Sequence, residues 1–445
     1  MISTSEYSAI EIAKAVGGEL IGNSVSVSDI STDSREKSNT GSCFFAIKGK
    51  NFDGNEYIKE AINNGAKIIV TNQKICTPVS IIYVKDTIKA LGLLGKYHKK
   101  NTKIIGVTGS NGKTTTKDMI KSILKEKYSV LATESNNNNE IGVAKTLLSI
   151  TDEEYCVVEM GMRNLGEIEW LSYISEPEIS VITNALSSHI EILGSRENIF
   201  NAKCEILKHT AKIAILPSEE RFKCIKLEKI TPFFVGQKGD YIFDNITYVE
   251  NGIDFDLLSK NINEKIHINS FGIHDVVNAT FAYAVGEKCG LTREEMAAGL
   301  SKFRNSKLRN TVLKIGDIRI IEDCYNASYE GMRRAIISLC KYAENKFLTP
   351  YAIFGDMLEV GEFSKEYHYR IGEFAKEAGI KEIFAYGNFA KEYIKGFGGG
   401  IEFDDLEDAT EKIKNMLSLG DVLLIKASRA LHFEKITELL RGKYI

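Results

Sequence analysis

A three-part α/β fold, with a central parallel-sheet domain between two smaller α/β units, is what this sequence predicts. Three observations carry that expectation. KIIGVT, YCVVEMG, EISVITN and KIAILP are apolar on both faces and separated by helical stretches, as in a parallel sheet covered by helices. The first of these runs, through a glycine-rich loop at 108–115, directly into a helix. The chain has 445 residues, enough for about three domains at ~100–200 residues each.

The elements follow in order. In residues 1–101, SCFFAI, KIIV and SIIYV read as strands, and NEYIKEAINNGA as a helix closed by Gly65. DTIKALGLLGKYHKK reads as a longer helix leading to a boundary near Asn101. Residues 102–307 form the central unit. Within it, 231–272 carries short alternating segments and turn signals, GQKGD and ENGID, which predict antiparallel hairpins. Two helices are expected at about 275–288 and 292–302. In residues 308–445, DIRIIEDC, PYAIFGD, EIFAYG and DVLLIKAS are strands again alternating with helices.

Composition removes several function classes. Lys and Arg number 57 and Asp and Glu 60, a net charge of −3, which argues against a nucleic-acid binder. Mean hydropathy is −0.14, and no apolar run approaches the ~18 residues of a membrane span. The N-terminus carries Glu6 and Glu11 and lacks the basic start and apolar stretch of an export signal. None of the eight cysteines forms C-x-x-C, so no zinc ribbon or thioredoxin-like motif is expected. A reduced, cytoplasmic setting follows.

The strongest chemical signal is IIGVTGSNGKTTTKDMI. Gly109, Ser110, Asn111 and Gly112 let backbone N–H groups wrap a phosphate at a helix N-terminus. Lys113 reaches the outer phosphates, and the hydroxyls of Thr114 and Thr115 stand at the first helical turn, with Thr114 suited to Mg²⁺. Gly106 lies one residue too far upstream for the common G-x-x-x-x-G-K-[ST] spacing. Glu159 closes the next apolar strand at the edge where ligands bind in open α/β sheets, and a carboxylate there suits Mg²⁺. His189 follows EISVITN by a short loop, and Lys203 sits on the helix after it. Taken alone, His189 also reads as a structural histidine, and Lys203 reads first as a solvated helix lysine. Asn136, Asn138 and Asn139 in NNNNEIG can orient a polar substrate without adding charge.

Together, TGSNGKTTTK, NNNNEIG, VVEMG, ITNALSSHIEILGS, AKCEIL, EDCYNAS, FGDMLEVG and LIKASR resemble the Mur ligase family along nearly the whole chain. The N-terminal STDSREKSNTGSCFFAIKGKNFDGNEYIKEAINNGA extends the match and separates it from folylpolyglutamate synthases. The resemblance implies a UDP-substrate domain over 1–101, an ATP-binding domain over 102–307 and a Rossmann-like ligase domain over 308–445. It is nearest to the branch that joins D-alanyl-D-alanine to UDP-N-acetylmuramoyl-tripeptide through an acyl phosphate, in peptidoglycan precursor synthesis. A monomer is expected, with no nucleic-acid partner.

The same resemblance implies residue roles. ATP and a pair of Mg²⁺ ions are the expected ligands. Thr114 and Glu159 match ligands of one ion, and His189 a ligand of the other. Lys203 matches a lysine that relatives carry as a carbamate, which replaces a repelling ammonium with hard oxygens. Lys113, Glu159, His189 and Lys203 form the expected catalytic set. Asn278 matches an adenine-side asparagine, Arg309 an arginine reaching the phosphates, and Asp323 a carboxylate at the ribose or hinge. Asp33, Ser34, Arg35 and Lys48 match the UDP-sugar region, where arginine's fork suits a diphosphate. Asn326, Lys426, Ser428 and Arg429 face the incoming dipeptide. The chain departs at Ser328 and Tyr329, where relatives often have Asn-Pro, and at Asp275, Ser135, Ala427 and Ala144. Another family ligase acting on a UDP-muramoyl peptide, or a non-catalytic nucleotide-binding member, is the alternative.

Overall fold

The computed structural model describes residues 1–49, 52–186, 193–249, 251–260, 262–305, 307–316, 318–358 and 360–444. Their strands form four sheets. The first contains β1 (Ile2–Ser8), β2 (Glu19–Ile21), β3 (Ser26–Ser31), β4 (Ser42–Phe45), β5 (Ala66–Thr71) and β6 (Ser80–Tyr83), in the order β1-β3-β4-β5-β6-β2. Its middle is parallel and both edges are antiparallel. Sequence reading found β4 to β6 but not β1 to β3: β1 and β3 are serine-rich and partly exposed, and β2 is only three residues long, so they carry little apolar signal.

The second sheet is entirely parallel: β7 (Lys103–Thr108), β8 (Val130–Ala132), β9 (Tyr155–Glu159), β10 (Ile179–Ile182), β11 (Ile213–Pro217) and β12 (Thr231–Val235). The order is β12-β11-β10-β7-β9-β8. β7 is thus flanked on both sides, and every residue from Ile104 to Thr108 is buried. β12 corrects the expectation of hairpins from residue 231 onward. TPFFV pairs parallel to β11, and its Pro232 is tolerated because β12 is an edge strand. The hairpins begin after it, with β13 (Ile242–Val249), β14 (Gly252–Ser259) and β15 (Ile262–Ile268) forming an antiparallel sheet. The two expected helices are Ile273–Lys288 and Arg293–Lys302.

The last sheet is β16 (Thr311–Ile315), β17 (Ile318–Glu322), β18 (Thr349–Gly355), β19 (Glu382–Tyr386), β20 (Ile401–Glu402) and β21 (Asp421–Lys426). Its order is β16-β17-β21-β18-β19-β20, parallel except for β16 on β17. One apolar core runs from the central sheet through β13 to β15 into this unit, where Tyr248 and Phe271 pack edge-on against Tyr342. The N-terminal sheet shares its core with Ala144 and Leu148 of the central helix Glu140–Leu148. Gly95 allows the close approach, since a Cβ there would stand 3.1 Å from the Ala144 carbonyl oxygen.

Candidate active site

The carboxyl ends of β7, β9 and β10 meet the helix N-terminus at Lys113 on one wall of a cleft of about 640 Å³. The loop from β7 is shaped by two glycines. Gly109 has φ 151°, and a Cβ there would lie 2.0 Å from Thr183 Oγ1. Gly112 has φ 80° and begins the helix Lys113–Leu124 without any side-chain cap, so its first N–H groups stay available to an anion. The loop is gripped from β10. Thr183 Oγ1 donates to the Asn111 carbonyl at 2.6 Å, Asn111 N–H donates to Asn184 Oδ1 at 2.9 Å, and Leu186 N–H donates to Ser110 Oγ at 2.8 Å. Lys113 Nζ folds back onto the Gly109 and Ser110 carbonyls, at 2.9 and 3.2 Å. Asn111 Nδ2 is buried with no hydrogen-bond partner among the described residues.

Glu159 ends β9 and is 1% exposed. Its Oε1 accepts from Asn138 Nδ2 at 2.8 Å, while Oε2 is buried without a hydrogen-bond partner among the described residues. An unsatisfied carboxylate oxygen costs about 1–3 kcal/mol or more, which a cation would recover. Thr114 lies on the same cleft wall, so a hydroxyl and a carboxylate present hard oxygens together. Among the described residues, no three His, Cys, Asp or Glu side chains form a preassembled metal cluster. Lys203, in the helix Arg196–Cys204, is 1% exposed rather than solvated. Burial holds its ammonium well below the usual lysine range; nearby Lys113 lowers it further, and Glu205 and Glu159 oppose the shift. His189 lies outside the described residues.

The opposite wall comes from the C-terminal unit. Arg309 stacks its guanidinium 3.8 Å from the Tyr325 ring centroid. Asp323 and Lys426, each at the end of its strand, form a buried ion pair at 2.6 Å. Arg429 bonds Glu434, and Asn326 Oδ1 accepts from Ala327 N–H within its own loop. Ser428 Oγ accepts from Leu358 N–H at 3.2 Å and so ties the end of β21 to the loop after β18.

Family models match three stretches of the chain: the Mur ligase family catalytic domain over 26–96, the Mur ligase middle domain over 107–286 and the Mur ligase glutamate ligase domain over 308–429. The chain belongs to the Mur ligase family. A Bacillus subtilis relative named UDP-N-acetylmuramoyl-tripeptide–D-alanyl-D-alanine ligase is 34% identical over 425 residues, covering 92% of each chain. The Escherichia coli protein of the same name is 28% identical, covering 97% of each. Among solved structures, a crystal structure of MurF from Acinetobacter baumannii aligns with TM-score 0.91 at 28% identity, covering 99% of this chain and 100% of that one. MurF from Thermotoga maritima in complex with ADP aligns with TM-score 0.86 at 29% identity, covering 94% and 97%.

In this Mur ligase the cleft brings together Ser110 to Thr115, Asn136, Asn138, Asn139, Glu159, Arg309, Asp323, Asn326, Lys426 and Arg429. Some expected residues are engaged within the fold or stand away from the cleft. Asn139 caps the helix Glu140–Leu148 by accepting from Gly142 N–H at 2.8 Å. Asn278 is buried behind the loop, taking a hydrogen bond from Thr116 Oγ1 at 3.2 Å and giving one to Asp275 at 3.0 Å. Asp33, Ser34, Arg35 and Lys48 do not line the cleft. Arg35 forks onto Asp33 at 2.8 and 2.6 Å, which pushes the Asp33 carboxyl down to about 2. Ser34 bonds Glu60 at 2.5 Å, and Lys48 lies 3.5 Å from Asp53. Thr183 and Asn184, which hold the loop, were missed. The signal was present, because ITN ends an apolar strand at the same sheet edge as Glu159.

Proposed function

We propose that this protein joins D-alanyl-D-alanine to UDP-N-acetylmuramoyl-tripeptide at the expense of ATP, in peptidoglycan precursor synthesis. The observation that carries the reading is the pair of unsatisfied buried groups: a donor, Asn111 Nδ2, within the phosphate loop and an acceptor, Glu159 Oε2, at the end of β9. An anion and a cation complete such a site. The names and full-length coverage of the relatives support the substrate class.

A carboxylate and an ammonium do not condense in water, because one is unactivated and the other lacks a free electron pair. The tripeptide carboxylate attacks the γ-phosphorus of ATP, giving an acyl phosphate and ADP. The neutral amine of the dipeptide attacks that carbonyl, and the tetrahedral intermediate collapses to an amide with loss of phosphate. Lys113 and the N–H groups of 109–115 bind the phosphates, and Arg309 approaches from the other wall. Thr114, Glu159, His189 and Lys203 as its carbamate are the residues to hold Mg²⁺. Bound Mg²⁺ supplies charge neutralisation on the phosphoryl group. A buried lysine with a depressed pKa supports the carbamate, since only the neutral amine adds CO₂.

Asp33, Ser34, Arg35 and Lys48 hold the UDP-sugar; Asn136, Asn138, Asn326, Lys426, Ser428 and Arg429 contact the peptides. Asn278 and Asp323 orient the nucleoside side. Domain boundaries fall at 101/102 and 307/308. The free cysteines fit a reducing, cytoplasmic setting, and the protein works as a monomer in this reading; no helix among the described residues is long and apolar enough to cross a membrane. The test measures ADP formation with each component omitted in turn. Turnover requires ATP, the UDP-tripeptide and the dipeptide together. Turnover with single amino acids in place of the dipeptide contradicts the assignment.

A further inference from the structure

Among the described residues, six lysine and arginine side chains line the cleft, and five are accounted for by position or partner. Lys113 lies on loop carbonyls, Lys426 on Asp323, Arg429 on Glu434 and Arg309 on the Tyr325 ring, while Arg163 is exposed to water. Arg334 is different. It projects from the helix Tyr329–Lys346, whose first residues form the wall facing the phosphate loop. Among the described residues it has neither a hydrogen bond nor an ion pair. Glu330 and Glu219 act on it electrostatically but do not form an ion pair with it. Arg334 is partly buried; that burial is the largest influence on its guanidinium and opposes its charge, while Glu330 and Glu219 favour it.

A half-buried guanidinium that lines the cleft and has no ion-pair partner among the described residues is placed to meet an anion, and its planar fork matches a carboxylate bidentately. The ATP phosphates are already served by Lys113 and the loop N–H groups on the opposite wall, with Arg309 approaching them from this one. Both peptide substrates of the proposed reaction carry carboxylates that must not react. We propose that Arg334 binds a non-reacting carboxylate of a peptide substrate and thereby fixes which end of that peptide reaches the acyl phosphate. This rests on the function proposed above. The carboxylate belongs either to the incoming dipeptide or to the UDP-tripeptide.

The test compares the parent with Arg334→Gln and Arg334→Lys, using steady-state kinetics for all three substrates and melting temperature as the folding control. The expected result is a KM raised about 10–100-fold for one peptide, the loss of a charged hydrogen-bonded pair. The KM for ATP stays within about twofold, and Arg334→Lys falls between the parent and Arg334→Gln. D-Alanyl-D-alaninamide, which lacks the terminal carboxylate, separates the sources. If the dipeptide is bound, the amide loses most of its disadvantage in Arg334→Gln. If the tripeptide is bound, only the UDP-tripeptide KM moves. Variants that melt with the parent and leave both peptide KM values unchanged overturn the inference, and so does a rise confined to ATP. A parent without dipeptide-dependent turnover defeats the underlying reading instead.

Discussion

Lys203 shows how burial changes what a residue can do. In sequence it sits in NAKCEIL, which reads as an ordinary helix lysine, and only the resemblance to a family raised it above that. The fold closes over it until it is 1% exposed, and the lost hydration favours the neutral amine that CO₂ requires. Lys203→Ala is therefore expected to lose most turnover while still binding ATP, with acetate restoring part of it. Lys203→Arg stays inactive, because arginine keeps its charge and offers no oxygens. Parental activity in Lys203→Arg contradicts the carbamate. Glu159 was easier to read, because a carboxylate ending an apolar strand is visible in YCVVEM. Its orphaned oxygen was not, since hydrogen-bond satisfaction depends on Asn138, twenty-one positions upstream.

Elements were legible where periodicity was strong and obscure where strands sit half in water. The buried runs of β7, β9, β10 and β11 announced themselves, whereas β1 and β3 became clear only through their pairing. Nor could sequence show what joins the elements. His98, on the helix Thr87–His98, receives the Tyr7 hydroxyl on Nδ1 at 2.7 Å and donates from Nε2 to the Ile150 carbonyl at 2.6 Å. It thus links the N-terminal sheet to the central domain. His368 does similar work further on, donating from Nδ1 to the Ser364 carbonyl and accepting Met357 N–H on Nε2 at 3.0 Å. That contact fixes the loop of FGDMLEVG beside the cleft.

Burial lowers the pKa of both histidines from 6.5; Lys100 adds to the drop at His98, while Asp356 and Glu392 oppose it at His368. The unfolded chain then binds these protons more readily than the native one. Their contribution to stability is present above about pH 6.5 and is lost as pH falls from there through the folded values. Each adds at most about 1.4 kcal/mol per pH unit to the slope. Denaturant unfolding between pH 5 and 7.5 checks this, with a shallower slope expected in His98→Gln and His368→Gln. An unchanged slope in both contradicts it.

At the scale of the molecule, the chemistry is divided between walls that different domains supply. Central and C-terminal units are firmly joined near Ser338, where Ile273 N–H donates to Oγ at 3.1 Å and Tyr342 packs on Tyr248 and Phe271. Across the cleft mouth, Arg196 and Glu330 stand 3.9 Å apart, an exposed arginine and a half-buried carboxylate. Such a pair holds little, typically ~0–1 kcal/mol. The joined side is expected to serve as a pivot, with ligands that bridge the walls drawing them together. Small-angle scattering should show a smaller radius of gyration with ATP and the UDP-tripeptide both bound than with neither. No change at demonstrated saturation argues against closure.

In the proposed reaction ATP activates a substrate carboxylate and the dipeptide amine then captures it. Oxygen isotope transfer tests it most directly. The UDP-tripeptide is labelled with ¹⁸O in its reacting carboxylate and turned over with ATP and D-alanyl-D-alanine, and the phosphate released is analysed by mass spectrometry. Attack on the γ-phosphorus puts a carboxylate oxygen into the bridge of the acyl phosphate, so each amide formed should release a phosphate carrying one ¹⁸O atom. Unlabelled phosphate released in step with amide formation would contradict the account.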